Sequence, residues 1–429
     1  MDRKADILII GSGAAGSSAA FAARKKDPDC SILVLSKEEW PEYSAPALPD
    51  FLSGELTRDK ILVRTKQEYE EAGIELLGGV SAESIAPDEN CVYLEDGDAI
   101  AFETLILASG SQPIRLRRMA GTDLPGNFVM KSMGDVDDML AYGGRSAVVV
   151  GSGAIGLEGS MALKKRGFER VTMVEALDWL SPKSLDKETS DELQAVLEGF
   201  GVEVLTGEAV EGVLGTEKVE GVKTSKREIP CDLILWGIGM RPDVALAADA
   251  GIELGQLGAI RVDDHMRSSV PYIYACGDCV ESLDQLSGDP AVHLFWEPAQ
   301  RGGTVAGTNA AGGELLYQGS CAVFLTNKGG LSIVALGKTA AELDADKAVI
   351  LQEKRDGVFR RLLLEDGRLK GAQMVGSLED VDLFFENIRK NAMPRTDVWD
   401  LVQPVPDPEN KPIDEVIDFL RKERRGAVK

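Results

Sequence analysis

The chain has 429 residues, 44% hydrophobic and 28% charged, enough for about three domains with ample cores. A formal net charge of −24 argues against nucleic acid and against an anionic membrane surface as partners; it serves either solubility or an acidic face that meets a basic protein. No apolar run approaches the ~18 residues of a membrane helix, Met1-Asp-Arg-Lys leads straight into the first apolar run with no room for a signal peptide, and six scattered cysteines (Cys30, Cys91, Cys231, Cys276, Cys279, Cys321) suggest reduced thiols, so a cytoplasmic protein is expected.

In chain order, Ile7-Leu8-Ile9-Ile10 predicts a strand, followed by Gly11-Ser12-Gly13-Ala14-Ala15-Gly16 and a small-residue helix from Ser17 to Lys26. A second strand, Ile32 to Leu35, ends at Ser36, with Lys37 and Glu38 next. Thr104 to Ser111 is a strand running into a small-residue turn through Ser109 and Gly110, closed by Pro113. The plan then repeats. Ala147 to Val150 precedes Gly151-Ser152-Gly153-Ala154-Ile155-Gly156, and the strand Val171 to Val174 ends at Glu175. Leu233 to Trp236 runs into Gly237-Ile238-Gly239-Met240-Arg241-Pro242. Tyr272 to Asp278 is again strand into turn, and a helix spans Ala299 to Ala311. Beyond it, residues 315–395 read as a smaller α+β unit. Phe359 to Leu364, Glu365-Asp366-Gly367 and Gln373 to Val375 form a hairpin, and Val381, Phe384, Phe385 and Ile388 mark a helix. A Pro-rich connector, Gln403 to Pro408, leads to a charged amphipathic helix, Ile413 to Arg424.

The doubled glycine pattern carries the chemistry. Its first glycine makes the tight turn, the second lets backbone approach a pyrophosphate, and the third lets helix pack on strand. The phosphates then meet free N–H groups at a helix N-terminus. One such pattern is weak; two, each between a strand and a helix, predict two dinucleotides on one chain.

These motifs together resemble the FAD/NAD-linked pyridine nucleotide reductases, strongly over about residues 5–315 and loosely beyond. The resemblance rests on both glycine patterns, Leu107-Ala-Ser-Gly-Ser111, Gly237 to Pro242, and Tyr274-Ala-Cys-Gly-Asp278. It implies an α/β fold of two Rossmann-like dinucleotide-binding domains, for FAD (1–113 and 245–314) and NAD (114–244). A smaller α+β C-terminal domain with a helical tail (315–429) is expected to serve as an interface. It further implies that Asp278 binds the FAD ribityl chain, that backbone at Val80 contacts the adenine, and that Ala299 lies near the flavin's pyrimidine edge. The family usually grips the adenosine ribose with an acid where this chain has Ser36. In the second copy Glu175 suits the 2′-hydroxyl of NAD and repels the 2′-phosphate of NADP, so NADH is favoured. Glu158 matches a position close to the nicotinamide.

Many relatives carry a redox cysteine just ahead of the flavin. This chain reads Tyr43-Ser44-Ala45-Pro46-Ala47-Leu48-Pro49, with Pro46 at the thiol position. Disulfide reductase, peroxidase and cysteine-sulfenate oxidase chemistry thereby lose their nucleophile. The segment fits the branch that resembles rubredoxin and ferredoxin reductases and the flavin part of nitrite reductases, although Ala45 replaces a basic residue there. Cys276-Gly-Asp-Cys279 brackets the Gly-Asp element, so its C-x-x-C spacing reads as incidental. The cysteines lack Fe–S cluster spacing, and only His265 and His293 could supply imidazole, so neither a cluster nor a resident metal is expected. The expected function is hydride transfer between NAD(H) and FAD, with electrons passed to or from a protein partner such as an iron–sulfur protein. The chain would act as a homodimer or as the reductase subunit of a hetero-oligomeric complex. The alternative is an NADH oxidase or a disulfide reductase of the CoA-disulfide type.

Overall fold

The computed structural model describes residues 3–116, 118–321 and 323–391. The connector at 403–408 and the helix at 413–424 lie outside them. The chain divides into two compact units. Among the described residues, one comprises 3–116, 128–143 and 238–321; the other comprises 118–127, 144–237 and 323–391.

The first unit is built on a parallel sheet whose strands run Ile74–Gly78, Ile32–Ser36, Arg3–Ile10, Ala99–Leu107 and Ile273–Ala275 in spatial order. Ile7 to Ile10 and Ile32 to Leu35 are apolar without alternation because both faces of these strands are buried. The antiparallel strands Cys91–Leu94 and Ala82–Ala86 extend the sheet; their short, mixed sequences had not marked them as strands.

The helix Ala14–Lys26 follows the first strand, starting three residues before the Ser17 expected from composition. Arg24, Lys25 and Lys26 in its last turn complement the helix dipole. Its small residues are explained by a neighbour, the helix Trp296–Ala310. A Cβ added to Gly303 would lie 2.1 Å from the Ala15 carbonyl oxygen, and one on Gly307 would lie 2.0 Å from that of Ala19. The two helices therefore touch backbone to backbone. Gly303→Ala is expected to destabilise the protein by about 3 kcal/mol through overpacking, read as a lowered unfolding midpoint. An unchanged midpoint would mean that these helices can separate freely.

The second unit has its own parallel strands, Val202–Leu205, Arg170–Val174, Ser146–Val150 and Leu233–Trp236 in that order. It also holds a five-stranded antiparallel sheet ordered Val323–Lys328, Leu331–Gly337, Arg368–Val375, Val358–Glu365 and Ala348–Arg355, with the helix Val381–Arg389 packed on it. Only the hairpin and that helix were visible as patterns. A buried polar cluster joins this sheet to the helix Lys187–Gly199. Arg361 Nε donates to Asp186 Oδ2 at 2.9 Å, and Gln373 Oε1 accepts from the Asp186 N–H at 3.0 Å and from Thr189 Oγ1 at 2.6 Å.

Candidate functional site

In the first unit, strand ends and turns converge at the carboxyl edge of the parallel sheet. Gly11 has φ +108, and a Cβ there would lie 2.2 Å from the Ala108 carbonyl oxygen; one on Gly16 would lie 1.8 Å from that of Gly11. Both glycines are demanded by the fold. Gly13 differs, because a Cβ there would meet no protein atom within 4 Å. Gly13 is also the N-cap of the helix, with no side-chain cap and no acid in the first turn. The first-turn N–H groups of residues 14–16 therefore have no capping side chain, next to a glycine whose Cβ direction is open.

Around that turn, Ser36 is buried at the end of its strand and accepts from Ser12 Oγ at 2.8 Å. The Val80 N–H donates to the Ser36 carbonyl at 2.9 Å, which fixes Val80 beside the strand end, while Lys37 is exposed. Ser109 Oγ donates to the Asp243 carbonyl at 2.6 Å, and a Cβ on Gly110 would meet nothing within 4 Å. Asp278 Oδ2 accepts from Ser111 Oγ at 2.6 Å and lies 3.6 Å from Lys131 Nζ. Lys131 was not anticipated, because nothing local to it predicts this neighbour. Gly277 lies between two helix N-terminal regions: a Cβ there would sit 2.7 Å from Ala15 Cβ and 3.8 Å from Ala299 Cβ. Ala299 is buried in the first turn of its helix, which begins at Trp296, three residues earlier than expected.

Pro46 sits exposed on the short turn Ala45–Ala47. Beside it, Tyr43 donates to the two Glu38 carboxylate oxygens at 2.9 and 3.0 Å. Burial raises the Glu38 carboxyl above the usual carboxylate range and raises the Tyr43 phenol well above its own. Glu42, also unanticipated, is buried. Burial pushes its carboxyl up, against Ser17 at 2.5 Å and Arg64 at 3.1 Å, and its Oε1 has no partner.

The second unit repeats the glycine geometry. A Cβ on Gly156 would lie 2.0 Å from the Gly151 carbonyl oxygen, and one on Gly237 would lie 3.0 Å from the Gly156 nitrogen. Gly153, like Gly13, has open space in its Cβ direction and caps an N-terminus without a side-chain cap or a first-turn acid. Ile155 is half-buried in that turn. Glu175 is buried at its strand end. Its Oε2 accepts from the Ser152 N–H at 3.0 Å and from Ser152 Oγ at 2.6 Å, and its Oε1 accepts from the Leu177 N–H at 3.0 Å. Glu158 Oε1 accepts from Thr326 Oγ1 at 2.5 Å. Gly239 belongs to the first unit, where its carbonyl accepts from the Ile114 N–H at 3.0 Å.

The cysteines offer little chemistry. Cys276 and Cys279 are fully buried, which drives both thiols up from their ordinary range, and all six cysteines are free of disulfides. His293 is buried against Asp284 at 3.1 Å, and His265 lies 3.6 Å from Glu314. Among the described residues no cluster of His, Cys, Asp and Glu could hold a metal ion, and no helix is long and apolar enough to cross a membrane.

Residues 5–298 match the family described as pyridine nucleotide-disulphide oxidoreductase. The chain belongs to this family. It is 33% identical to an NADH oxidase of Methanocaldococcus jannaschii over 86% of this chain and 87% of that protein. It is 28% identical to a nitrite reductase [NAD(P)H] of Bacillus subtilis over 99% of this chain, which spans only 53% of that protein. The structure of an NAD-dependent persulfide reductase from A. fulgidus superposes with a TM-score of 0.86 at 26% identity, covering 98% of this chain and 84% of that one. The protein is therefore an NAD(P)H-dependent flavin oxidoreductase that takes FAD and a nicotinamide dinucleotide. Its residues fit two such ligands: each unit has one uncapped helix N-terminus behind a glycine whose Cβ direction is open.

Proposed function

We propose that this flavoprotein exchanges electrons between NAD(H) and the redox centre of a protein partner, such as an iron–sulfur protein, either transiently or as the reductase subunit of a larger oxidoreductase. The carrying observation is the missing nucleophile. Pro46 stands where a redox thiol is expected, and five of the six cysteines are buried. In this reading the first glycine turn receives the FAD pyrophosphate on the N–H groups of residues 14–16. Asp278 accepts hydrogen bonds from ribityl hydroxyls, Ser36 and Lys37 flank the adenosine ribose, and Val80 backbone meets the adenine. Lys131 places an ammonium beside Asp278 and offsets negative charge there. In the second unit the turn Gly151 to Gly156 receives NADH, Glu175 holds the ribose and disfavours a 2′-phosphate, and Glu158 stands at the nicotinamide end. Bound FAD supplies a two-electron acceptor that can release electrons singly; the chain contributes binding, orientation and exclusion of water.

The charge of −24 supports a basic protein partner, steered by long-range attraction. The pure protein is expected to oxidise NADH slowly with oxygen and fast with ferricyanide. Rates with the protein acceptor should fall as salt rises. The M. jannaschii relative's name favours a second reading, an NADH oxidase; rapid turnover with oxygen alone would establish that reading instead.

Anaerobic reduction should stop at two electrons per FAD, with no thiolate–flavin charge-transfer band. A dithionite titration that takes up four electrons would reveal a second redox couple and point to Cys276 and Cys279.

A further inference from the structure

The serine inside the second glycine turn has no role in the reading above, yet its N–H, its hydroxyl and its carbonyl are all engaged at that site. Ser152 is 1% exposed, Ser181 7% and Glu175 9%. Ser152 gives both of its donors, N–H and O–H, to the same oxygen of Glu175, at 3.0 and 2.6 Å. Its hydroxyl also accepts: the Ser181 N–H donates to Ser152 Oγ at 2.7 Å. The Ser181 hydroxyl in turn donates to the Ser152 carbonyl. With the Ser181 N–H approaching from one side, the Ser152 hydroxyl proton is directed to Glu175. A carboxylate offers about four acceptor sites. Two on Oε2 go to Ser152 and one on Oε1 goes to the Leu177 N–H, so the spare capacity lies on Oε1.

The first unit holds the hydroxyl contact alone. Ser12 occupies the equivalent place in its glycine turn and donates to Ser36, the side chain at the end of the equivalent strand, at 2.8 Å. In both turns the inner serine hydroxyl donates to the side chain that ends the second strand.

We infer that Ser152 is a positioning residue for nicotinamide dinucleotide binding: with Ser181 behind it, it locks Glu175 so that Oε1 alone is presented to the ribose. This rests on the reading of Glu175 as the ribose contact. Because Ser152 acts through Glu175 on binding rather than on the transferred hydride, its loss should appear in KM and leave kcat in place.

The test is a double-mutant cycle on the full-length flavin-loaded protein, with NADH reduction of the flavin followed anaerobically. Ser152→Ala is expected to raise the NADH half-saturation concentration about tenfold, as loss of a hydrogen bond to a charged group does, with the saturating rate unchanged within twofold. Glu175→Ala is expected to raise it at least as much and to narrow the preference over NADPH. In the Glu175→Ala background, Ser152→Ala should cost nothing further. Ser152→Cys, nearly the same size but a weak donor, should fall between wild type and Ser152→Ala, and it carries the test if the alanine variant fails to fold. An equal penalty for the serine change with and without Glu175 would overturn the inference, since the serine would then act on the fold. So would a half-saturation value within twofold of wild type for Ser152→Ala or, where that variant does not fold, a value for Ser152→Cys indistinguishable from wild type. If Glu175→Ala itself changes neither NADH affinity nor cofactor preference, the ribose assignment falls and takes the inference with it.

Discussion

Gly13→Val is expected to give a folded chain that no longer retains FAD. The two halves of this result have separate causes. Gly13 adopts φ −68 and ψ −171, extended backbone in which a β-branched residue is comfortable, and its Cβ direction is empty of protein. The backbone and Cβ of valine therefore fit the fold, at the modest cost of a poorer N-cap residue. The space that valine fills is the one through which a pyrophosphate must approach the uncapped N–H groups of the helix Ala14–Lys26. Purified variant should show a circular dichroism spectrum like that of wild type, and a flavin absorbance about a tenth of the wild-type ratio or less. Full flavin occupancy would show that FAD does not sit against the first glycine turn. Gly16→Ala is the contrast: its Cβ would lie 1.8 Å from the Gly11 carbonyl oxygen, so it should damage the fold itself.

Gly153→Val should retain FAD and lose NADH. Gly153 has φ −70 and ψ −178 and the same open Cβ direction, so the backbone and Cβ of valine are accommodated there. The protein should be yellow and should be reduced fully by dithionite. Its reduction by NADH at a fixed, sub-saturating concentration should slow at least ~100-fold, the size of effect that a misplaced reactant produces. A variant that loses flavin but still responds to NADH after reconstitution would reverse the assignment of the two turns. The pair of valine variants thus assigns each cofactor to its turn with two spectrophotometric measurements.

Much of this site was legible because its elements are local. A strand, a glycine turn and a helix occupy contiguous residues, so Gly11 to Gly16 and Gly151 to Gly156 announce their geometry through spacing alone. Ser36 and Glu175 were found the same way, as the residues that end the second strand of each repeat. Pro46 was informative because a single residue type decides whether a thiol is available. The helix from Trp296 was placed three residues late because its start carries no Ser, Thr, Asp or Asn cap and contains a proline in its first turn.

By itself, the sequence determined what short-range pattern can carry: the doubled strand–turn–helix order, the strand-end residues, the missing thiol and the acidic balance. Tertiary structure alone decided which distant residues meet. Ser111 reaches Asp278 because the parallel sheet brings Ala99–Leu107 and Ile273–Ala275 side by side, and Lys131 arrives there from the segment before the helix Met133–Tyr142. The alanines of the first helix are small because Gly303 and Gly307 lie against their carbonyls, a partner almost three hundred residues away in the chain. Arg361 and Gln373 looked like ordinary strand positions until the fold set them on Asp186. In each case the pattern at one site carries no information about its partner, because hydrophobic periodicity says which face is buried and never says against what.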